Sequence, residues 1–344
     1  MGDSVKRIIY FLSVAFVLAF SILILKNPQA CITATAYGIN LSARVLIPSL
    51  YPFTFCVLFI LNSGFLNSFN FLDKIFKKLF GMNGYLFSVF LLSLIGGYPL
   101  GAKLISDSQI DSKTAKIMLN YCVNAGPAFI ITAIGNGIFN SKKIGLILFI
   151  SHILPSFLLA FLFRKKLNPN SINKKNVISI ADNFVLSASS AASALISICT
   201  YVLLFSVITA YIDHYTFLKP LTLLLEVTNS ISHTNNILLI SALLGFGGIS
   251  IWCQVYSLSK KVKPDFLAFP LCRIFHAFFS AALTYTAIKL LGITVPTLSN
   301  GKIFIFSAFE STAAVGFSLI TLGILFMISL KQKNYAGNML EDIV

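Results

Sequence analysis

Two glycine-centred interruptions of apolar sequence are the features of this chain that point most directly to chemistry. Residues 96–99 read Gly-Gly-Tyr-Pro and precede Lys103, while residues 247–248 are again Gly-Gly and precede Ser250 and Gln254. Backbone that leaves the helix at membrane depth is tolerated only where protein or a water-filled cavity satisfies its N–H and C=O groups. Such breaks in corresponding halves of a chain are typical of the substrate site of a secondary transporter. The pair therefore predicts a binding cavity within a membrane.

Ionisable residues inside apolar segments are the second indication of a site. An Arg, Lys or Asp at the centre of a spanning helix costs roughly 2.5–3.5 kcal/mol, so each needs a partner, a cavity or a path to the interface. Arg273 and His276 lie one helical turn apart and share a face, so we interpret them as functional. Lys103 either lines a cavity or reaches the headgroups near Asp107. Glu226 fits a buried counter-charge, a coupling-ion ligand or a carboxylate at a helix end.

Amides in apolar sequence need hydrogen-bond partners, and two of them lie one turn apart. Asn120 and Asn124 precede Gly126-Pro127, which loosens the helix. They fit substrate ligands and polar contacts between helices equally well. His152 and Glu310 carry no comparable pattern, and we leave them out of the site. The predicted substrate-binding residues are Gly96, Gly97, Tyr98, Pro99, Lys103, Asn120, Asn124, Glu226, Thr228, Asn229, Gly247, Gly248, Ser250, Gln254, Arg273 and His276.

The composition defines the solvent in which these residues must be positioned. The 344 residues are 57% hydrophobic and 11% charged, and the mean hydropathy is +0.86. A soluble fold of this length cannot bury so much apolar surface, so we expect an all-α polytopic integral membrane protein. A span needs about 20 residues, which predicts about 8–10 membrane-embedded helices, some of them broken or re-entrant. Apolar stretches of spanning length run at about 8–25, 50–68, 84–105, 115–138, 144–163, 183–212, 236–258, 265–292 and 303–329.

The formal charge is +15, and most of the excess positive charge lies in loops. This distribution indicates orientation in a membrane by the positive-inside rule rather than nucleic-acid binding. The partners we expect are the lipid bilayer and a small anionic substrate, with no nucleic acid, and a homo-oligomer stays open. Six scattered cysteines form no metal-ligand or disulfide pattern. No nucleophile–base pair, metal cluster or nucleotide loop is visible, so we expect a non-enzyme without a cofactor.

A basic, asparagine-rich stretch divides the chain into two halves that resemble each other. We interpret the first 25 residues as an uncleaved helix, although a basic start and an apolar core are also how a signal peptide begins. Small residues between Ser187 and Ala194 predict close helix packing. The predicted organisation is a first helix at 1–30, repeat one at 31–163, a basic central loop at 164–182, repeat two at 183–292, and a last span with a tail at 293–344.

Four linked motifs, in one order, resemble the YlbJ-type sporulation integral membrane proteins, also called stage V sporulation protein V. They are Gly-Gly-Tyr-Pro-Leu-Gly-Ala-Lys at 96–103, Asn-Ala-Gly-Pro-Ala-Phe-Ile at 124–130, Leu-Glu-Val-Thr-Asn at 225–229 and Leu-Gly-Phe-Gly-Gly at 244–248. The resemblance covers roughly residues 35–290. It implies a nucleoside-recognition or Gate domain, related to concentrative nucleoside transporters. It further implies movement of dipicolinic acid from the mother cell into the forespore across the outer forespore membrane.

The residues are compatible with that substrate. Dipicolinate is a planar aromatic dianion near neutral pH, so its site needs cations, helix N-termini and a flat or apolar surface. Lys103 and Arg273 supply charge, N–H groups after Gly97 and Gly248 supply donors, and Tyr98 supplies a ring. The anion's identity comes from the resemblance alone.

Three readings of the function remain open at this point. The leading one is a transporter of a small organic anion that works by alternating access. A nucleoside transporter is the second, in which the asparagines, Glu226 and Thr228 read ribose hydroxyls and base edges. The third is a non-transporting scaffold of the sporulation membrane, whose breaks are packed without a solvated cavity. Transport is compatible with coupling to Na⁺, to H⁺ or to the substrate gradient alone.

Overall fold

The computed structural model describes residues 3–66, 73–169, 178–215, 217–232, 234–259 and 262–293. All its regular elements in these ranges are helical, which confirms the all-α class. The predicted last span at 303–329 and Glu310 lie outside the described residues. The α-helices are α1 Asp3–Lys26, α2 Pro28–Leu41, α3 Ile47–Asn62, α4 Asp73–Phe80, α5 Gly84–Gly96, α6 Leu100–Asp107, α7 Ser112–Met118, α8 Lys142–Phe163, α9 Ile180–Asp213, α10 Lys219–Leu225, α11 Val227–Ser232, α12 Ile237–Phe246, α13 Gly248–Leu258 and α14 Ala268–Leu290, with π-helical turns at Ser42–Leu46 and Ala128–Ile138 and a 3₁₀ turn at Arg164–Lys166.

Among the described residues, four helical segments are long and apolar enough to cross a membrane, and two bent pairs raise the number to six. One pair bends by 100° between α1 and α2, and the other by 69° between α4 and α5. Two further apolar helices, Leu50–Asn62 and Ala128–Ile138, are shorter than a span. The four segments are Lys142–Lys166, Ile180–Asp213, Ile237–Leu258 and Ala268–Leu290. This arrangement is that of a polytopic membrane protein, as predicted from the composition.

Helix α4 is amphipathic and carries Lys74, Lys77 and Lys78. Its Phe76 ring stacks on Phe87 of α5, with ring centroids 3.8 Å apart. The chain turns into α5 at Gly81, where an added Cβ would lie 2.0 Å from the carbonyl oxygen of Arg164. The basic residues of α4 and of Arg164–Lys166 therefore lie at the same end of the fold, as expected of one membrane face.

Helix α9 forms the contact with α2 and α3 through small and polar residues. Ser187, Ala191 and Ala194 are buried, in accordance with the predicted close packing. The Asn183 amide donates to the carbonyl of Phe59 at 2.9 Å and accepts from the Ser187 hydroxyl at 2.9 Å. Polar contacts of this kind hold helices together where the surrounding lipid offers no hydrophobic driving force.

Glycines also bring two further pairs of elements together at backbone distance. A Cβ on Gly245 of α12 would lie 2.5 Å from Cα of Ala277 in α14, and one on Gly135 of the second π-helical turn would lie 2.5 Å from Cα of Gly145 in α8. Helix α12 thus meets α14, and the second π-helical turn meets α8, at backbone distance.

Candidate functional site

The first break packs against a second unwound segment of the chain. Helix α5 ends at Gly96, and Gly97 has the left-handed φ of 78° that a residue with a side chain rarely adopts. A Cβ on Gly97 would lie 2.9 Å from the backbone nitrogen of Gly126. Gly126 belongs to residues 119–127, which separate α7 from the second π-helical turn. The break is therefore a backbone-to-backbone contact that only glycine allows.

The second break repeats this arrangement in the other half. Helix α12 ends at Phe246, the next residue Gly247 has a φ of 82°, and α13 begins at Gly248 with a φ of 77°. A Cβ on Gly248 would lie 3.2 Å from both the carbonyl oxygen of Leu225 and the nitrogen of Val227. These two residues flank Glu226, where the chain leaves the helix between α10 and α11. Each interrupted span is thus seated on its own unwound segment.

Both pairs border one cavity of about 40 Å³, measured as the space open to the centres of water-sized molecules. About 10–15 Å³ by this measure suffices for one water molecule, so the cavity takes a few waters or one small ion. Its polar wall comes from Tyr98, Glu226, Thr228 and Gln254. The rest of the lining is Leu46, Leu50, Gly97, Ala125, Gly126, Phe129, Ile198, Val202 and Ile251.

The polar groups of the cavity are almost fully shielded from the outside. Glu226 is 1% exposed, and its carboxylate accepts from the backbone N–H of Thr228 at 3.0 Å. Gln254 is also buried and donates its amide N–H to the Ser250 hydroxyl at 3.2 Å. Its Oε1 atom and the Tyr98 hydroxyl have no hydrogen-bond partner among the described residues. Buried polar atoms are usually paired, so these two point to a polar ligand or water.

Arg273 is fully buried and binds the unwound segment at residues 119–127 without lining the cavity. Its Nη1 donates to the carbonyl of Val123, and its Nη2 donates to the carbonyl of Asn120 at 3.0 Å. Both carbonyls lie in residues 119–127, where no helical N–H group is available to them. The guanidinium thus replaces the missing helical donors, as buried carbonyls require.

Two histidines extend the Arg273 contact to α8. Arg273 Nη2 lies 3.2 Å from His276 Nδ1, and His276 Nε2 lies 2.7 Å from the carbonyl oxygen of His152. Because Arg273 only donates and a carbonyl only accepts, His276 is neutral with its proton on Nε2. His152 Nε2 accepts from the N–H of Ala125 at 2.9 Å. The network joins α8, α14 and the cavity wall around a single cation.

Asn124 has the geometry of a contact between elements. Its Nδ2 donates to the Tyr121 carbonyl at 2.7 Å, and its Oδ1 accepts from the Ser156 hydroxyl of α8 at 2.6 Å. Of the two readings left open by the sequence, this geometry fits a polar contact between helices. The side-chain Oδ1 of Asn120, in contrast, has no partner among the described residues.

The structure sorts the predicted site residues into groups. Lys103 pairs with Asp107 at 2.6 Å and is not among the residues that line the cavity. Asn229 belongs to α11, and its side chain lies outside the description. Substrate contact stays a prediction for all of them. The residues that line the cavity are Gly97, Tyr98, Glu226, Thr228 and Gln254. Those at or next to the breaks are Gly96, Pro99, Gly247, Gly248 and Ser250. The residues of the unwound segment at 119–127 and of its hydrogen-bond network are Asn120, Asn124, Arg273 and His276.

Sequence reasoning missed His152 and the apolar side of the cavity. His152 has its partners 27 and 124 residues away, at Ala125 and His276, so no local pattern reveals it. The apolar side of the lining includes Leu46, Leu50, Ile198 and Val202. In the sequence these residues cannot be distinguished from other apolar residues that face lipid or pack in the core. Gly126 carried a usable signal, because it stands before a proline in an apolar run.

These observations define a class of protein. A chain whose described elements are all helical, with four to six segments long and apolar enough to cross a membrane and two helix interruptions beside one small cavity, is a polytopic integral membrane protein.

Comparison with known proteins narrows that class. The chain is 21% identical, over 336 residues, to the sporulation integral membrane protein YlbJ of Bacillus subtilis (strain 168), a match that covers 81% of this chain and 82% of YlbJ. This similarity confirms the resemblance to YlbJ-type sporulation integral membrane proteins. No protein-family model matches the chain, and no solved structure matches it significantly. The nucleoside-recognition or Gate domain stays a prediction.

Proposed function

We propose that this protein is a membrane transporter that moves a small organic anion, dipicolinic acid, from the mother cell into the forespore across the outer forespore membrane. One observation carries the proposal: residues from both interrupted segments and both unwound segments line a single small cavity that has polar groups on one wall. Unwound backbone within a bilayer is typical of substrate pathways. The similarity to a sporulation membrane protein supplies the cellular setting.

A buried cation behind the cavity wall supports an anionic substrate, while the wall itself carries the Glu226 carboxylate. Arg273 holds the segment whose Ala125 and Gly126 line the cavity, and no carboxylate pairs with Arg273 among the described ion pairs. Charge in a low-dielectric interior acts over several ångströms without direct contact. The first N–H groups of α6 and α13, which follow the two breaks, add the positive ends of two helix dipoles.

An aromatic dicarboxylate is larger than the 40 Å³ cavity. Binding therefore requires the two breaks to separate, with Gly97 and Gly126 on one side and Gly248 and Leu225 on the other. Alternating access supplies such a movement, because broken helices at a repeat interface rock against each other. Tyr98, on the cavity wall, then offers its ring to the pyridine plane.

A nucleoside is the second candidate, and a specific observation favours it. The polar wall consists of Glu226, Thr228, Gln254 and Tyr98, whereas Lys103 pairs with Asp107 away from the cavity. Carboxylate, amide and hydroxyl groups suit ribose hydroxyls and base edges, and a nucleoside needs no cation.

Ligand-induced stabilisation of the purified protein separates these candidates. We expect dipicolinate to raise the thermal midpoint and uridine to leave it unchanged. At a dipicolinate concentration of a hundred times its dissociation constant, the unfolding free energy increases by about 2.7 kcal/mol. Pyridine-2-carboxylate, which lacks one carboxylate, is the matched control and is expected to act more weakly. Stabilisation by uridine alone would establish the nucleoside reading, and no stabilisation by either ligand would favour a scaffold.

A further inference from the structure

Helix α4 has two apolar faces, and the protein covers one of them. Phe76 and Phe80 lie one turn apart and stack on Phe87 of α5, with ring centroids 3.8 and 5.5 Å away. Ile75 and Leu79 form a second pair one turn apart, on a neighbouring face, and they are 54% and 45% exposed. The second face is therefore open to contact with lipid.

The remaining face of α4 carries Lys74, Lys77 and Lys78. Lys77 pairs with Asp73 at 3.1 Å, whereas Lys74 and Lys78 are exposed and make no ion pair within the described part of the chain. A row of lysines beside an exposed apolar face is typical of a helix that lies in the plane of the membrane interface. The 69° bend between α4 and α5 agrees with this placement, because it turns α4 away from the direction of the apolar helix that follows.

The 3₁₀ turn Arg164–Lys166 adds further basic residues at the level of the interface. It closes a 25-residue segment that is long and apolar enough to cross a membrane, so it lies where that segment would leave the hydrocarbon. The charged ends of Arg164 and Lys166 lie 3.7 and 5.2 Å from the ring centres of Phe161 and Phe163. Long basic side chains that lie along apolar surface in this way keep their charge at the level of the headgroups.

A backbone contact holds these two parts side by side. Gly81 follows α4, and a Cβ there would lie 2.0 Å from the carbonyl oxygen of Arg164. Helix α4 and the turn together carry six basic side chains and one carboxylate, that of Asp73, which is already paired. We call this combination the basic surface. Its charge is complementary to phosphate groups, and its apolar pair is complementary to acyl chains.

We propose that the basic surface binds the headgroup of an anionic phospholipid, with Ile75 and Leu79 against the acyl chains. A soluble anion uses the lysines and leaves the apolar pair exposed to water, whereas a lipid uses both faces. A basic residue near an anionic bilayer surface contributes about fivefold to affinity. The site does not rest on the proposed transport function, because none of its residues lines the cavity.

Lipid binding is tested on the purified full chain in neutral detergent micelles without any substrate. Phosphatidylglycerol and phosphatidylcholine with the same acyl chains are titrated in, and bound lipid is counted by native mass spectrometry. We expect phosphatidylglycerol to bind saturably and at least about tenfold more tightly than phosphatidylcholine, and the Lys74→Gln/Lys78→Gln variant to bind it at least about tenfold more weakly. Lys142→Gln/Lys143→Gln, which removes two exposed lysines at the opposite end of α8, is the matched control and is expected to bind like the wild type.

Three results would overturn the site. Equal affinity of the wild type for the two lipids would do so whatever the variants do, and this comparison does not depend on how the variants fold. An equal loss of affinity in both double variants would show that total charge rather than position governs binding. Glycerol 1-phosphate, the soluble headgroup, is expected to leave phosphatidylglycerol binding unchanged, and competition at equal concentration would assign the surface to a soluble anion instead.

Discussion

At the scale of single residues, one buried cation organises the cavity wall. Arg273 donates to two carbonyls of residues 119–127 and contacts His276, which in turn bonds to the backbone of α8. From the sequence, we interpret Arg273 as a functional residue that supplies charge to the substrate. In the structure its guanidinium takes the place of the missing helical N–H donors. Arg273 therefore acts on a substrate indirectly, by positioning residues 119–127.

Replacing Arg273 by Gln is expected to lower the unfolding free energy by about 3 kcal/mol, since a hydrogen bond to a charged group contributes roughly 1.5–3 kcal/mol and two carbonyls lose theirs. The Arg273→Lys protein is expected to have an unfolding free energy between those of the wild type and Arg273→Gln, because an ammonium is a point charge without the planar fork of donors. Unfolding of purified protein in mixed detergent micelles measures both. Lys289→Gln, on the exposed last turn of the same helix α14, is the control. An Arg273→Gln protein as stable as this control would contradict the role.

Among the elements, each helix break is paired with an unwound segment in the same half of the chain. Gly97 meets Gly126, and Gly248 meets the backbone around Glu226, so an interrupted span and an unwound segment complete each other in both halves. The positive φ at Gly97 and Gly248 and the missing Cβ are both required. Such breaks remain stable because each exposed backbone faces another segment of protein rather than lipid.

Gly97→Ala is expected to destabilise the protein more than Gly292→Ala. Both glycines have a positive φ, where a Cβ costs about 1–2 kcal/mol, yet only at Gly97 would that Cβ lie 2.9 Å from a backbone nitrogen, while nothing lies within 4 Å at Gly292. The difference between the two variants isolates the contact with Gly126 from backbone strain. Detergent-induced unfolding of the two proteins side by side measures it, and equal losses would remove the packed break from the account.

The sequence predicted the elements better than the contacts between them. The glycine pairs located both breaks because Gly-Gly and Pro stand out in apolar surroundings. The partnership of Arg273 with Asn120, 153 residues apart, was not predictable, because long-range pairing is decided by packing and leaves no local pattern.

The bent α1–α2 pair, with its angle of 100°, shows the same limit. Asn27 and Pro28 mark where the helix ends, yet the direction in which the chain continues depends on α9, which α2 meets at Gly38 and Leu203. Local signals thus fix a boundary, and the tertiary contact fixes an angle.

At the scale of the whole molecule, apolar helices surround a small polar centre. The interrupted spans belong to distant parts of the chain, and residues from both reach one cavity. Basic residues of α4 and of Arg164–Lys166 share one end of the bundle, as expected for a fixed orientation in the membrane. Residues from both halves of the chain thus border one cavity, the placement that the proposed alternating access requires.

Transport itself is measured as uptake of radiolabelled dipicolinate into proteoliposomes that contain only this protein. We expect saturable uptake by the wild type, and only background uptake by a Gly97→Leu variant that still reconstitutes, because a side chain at Gly97 blocks the approach of the two breaks. Wild-type uptake equal to that of protein-free liposomes, or undiminished uptake by Gly97→Leu, would contradict the proposed transport.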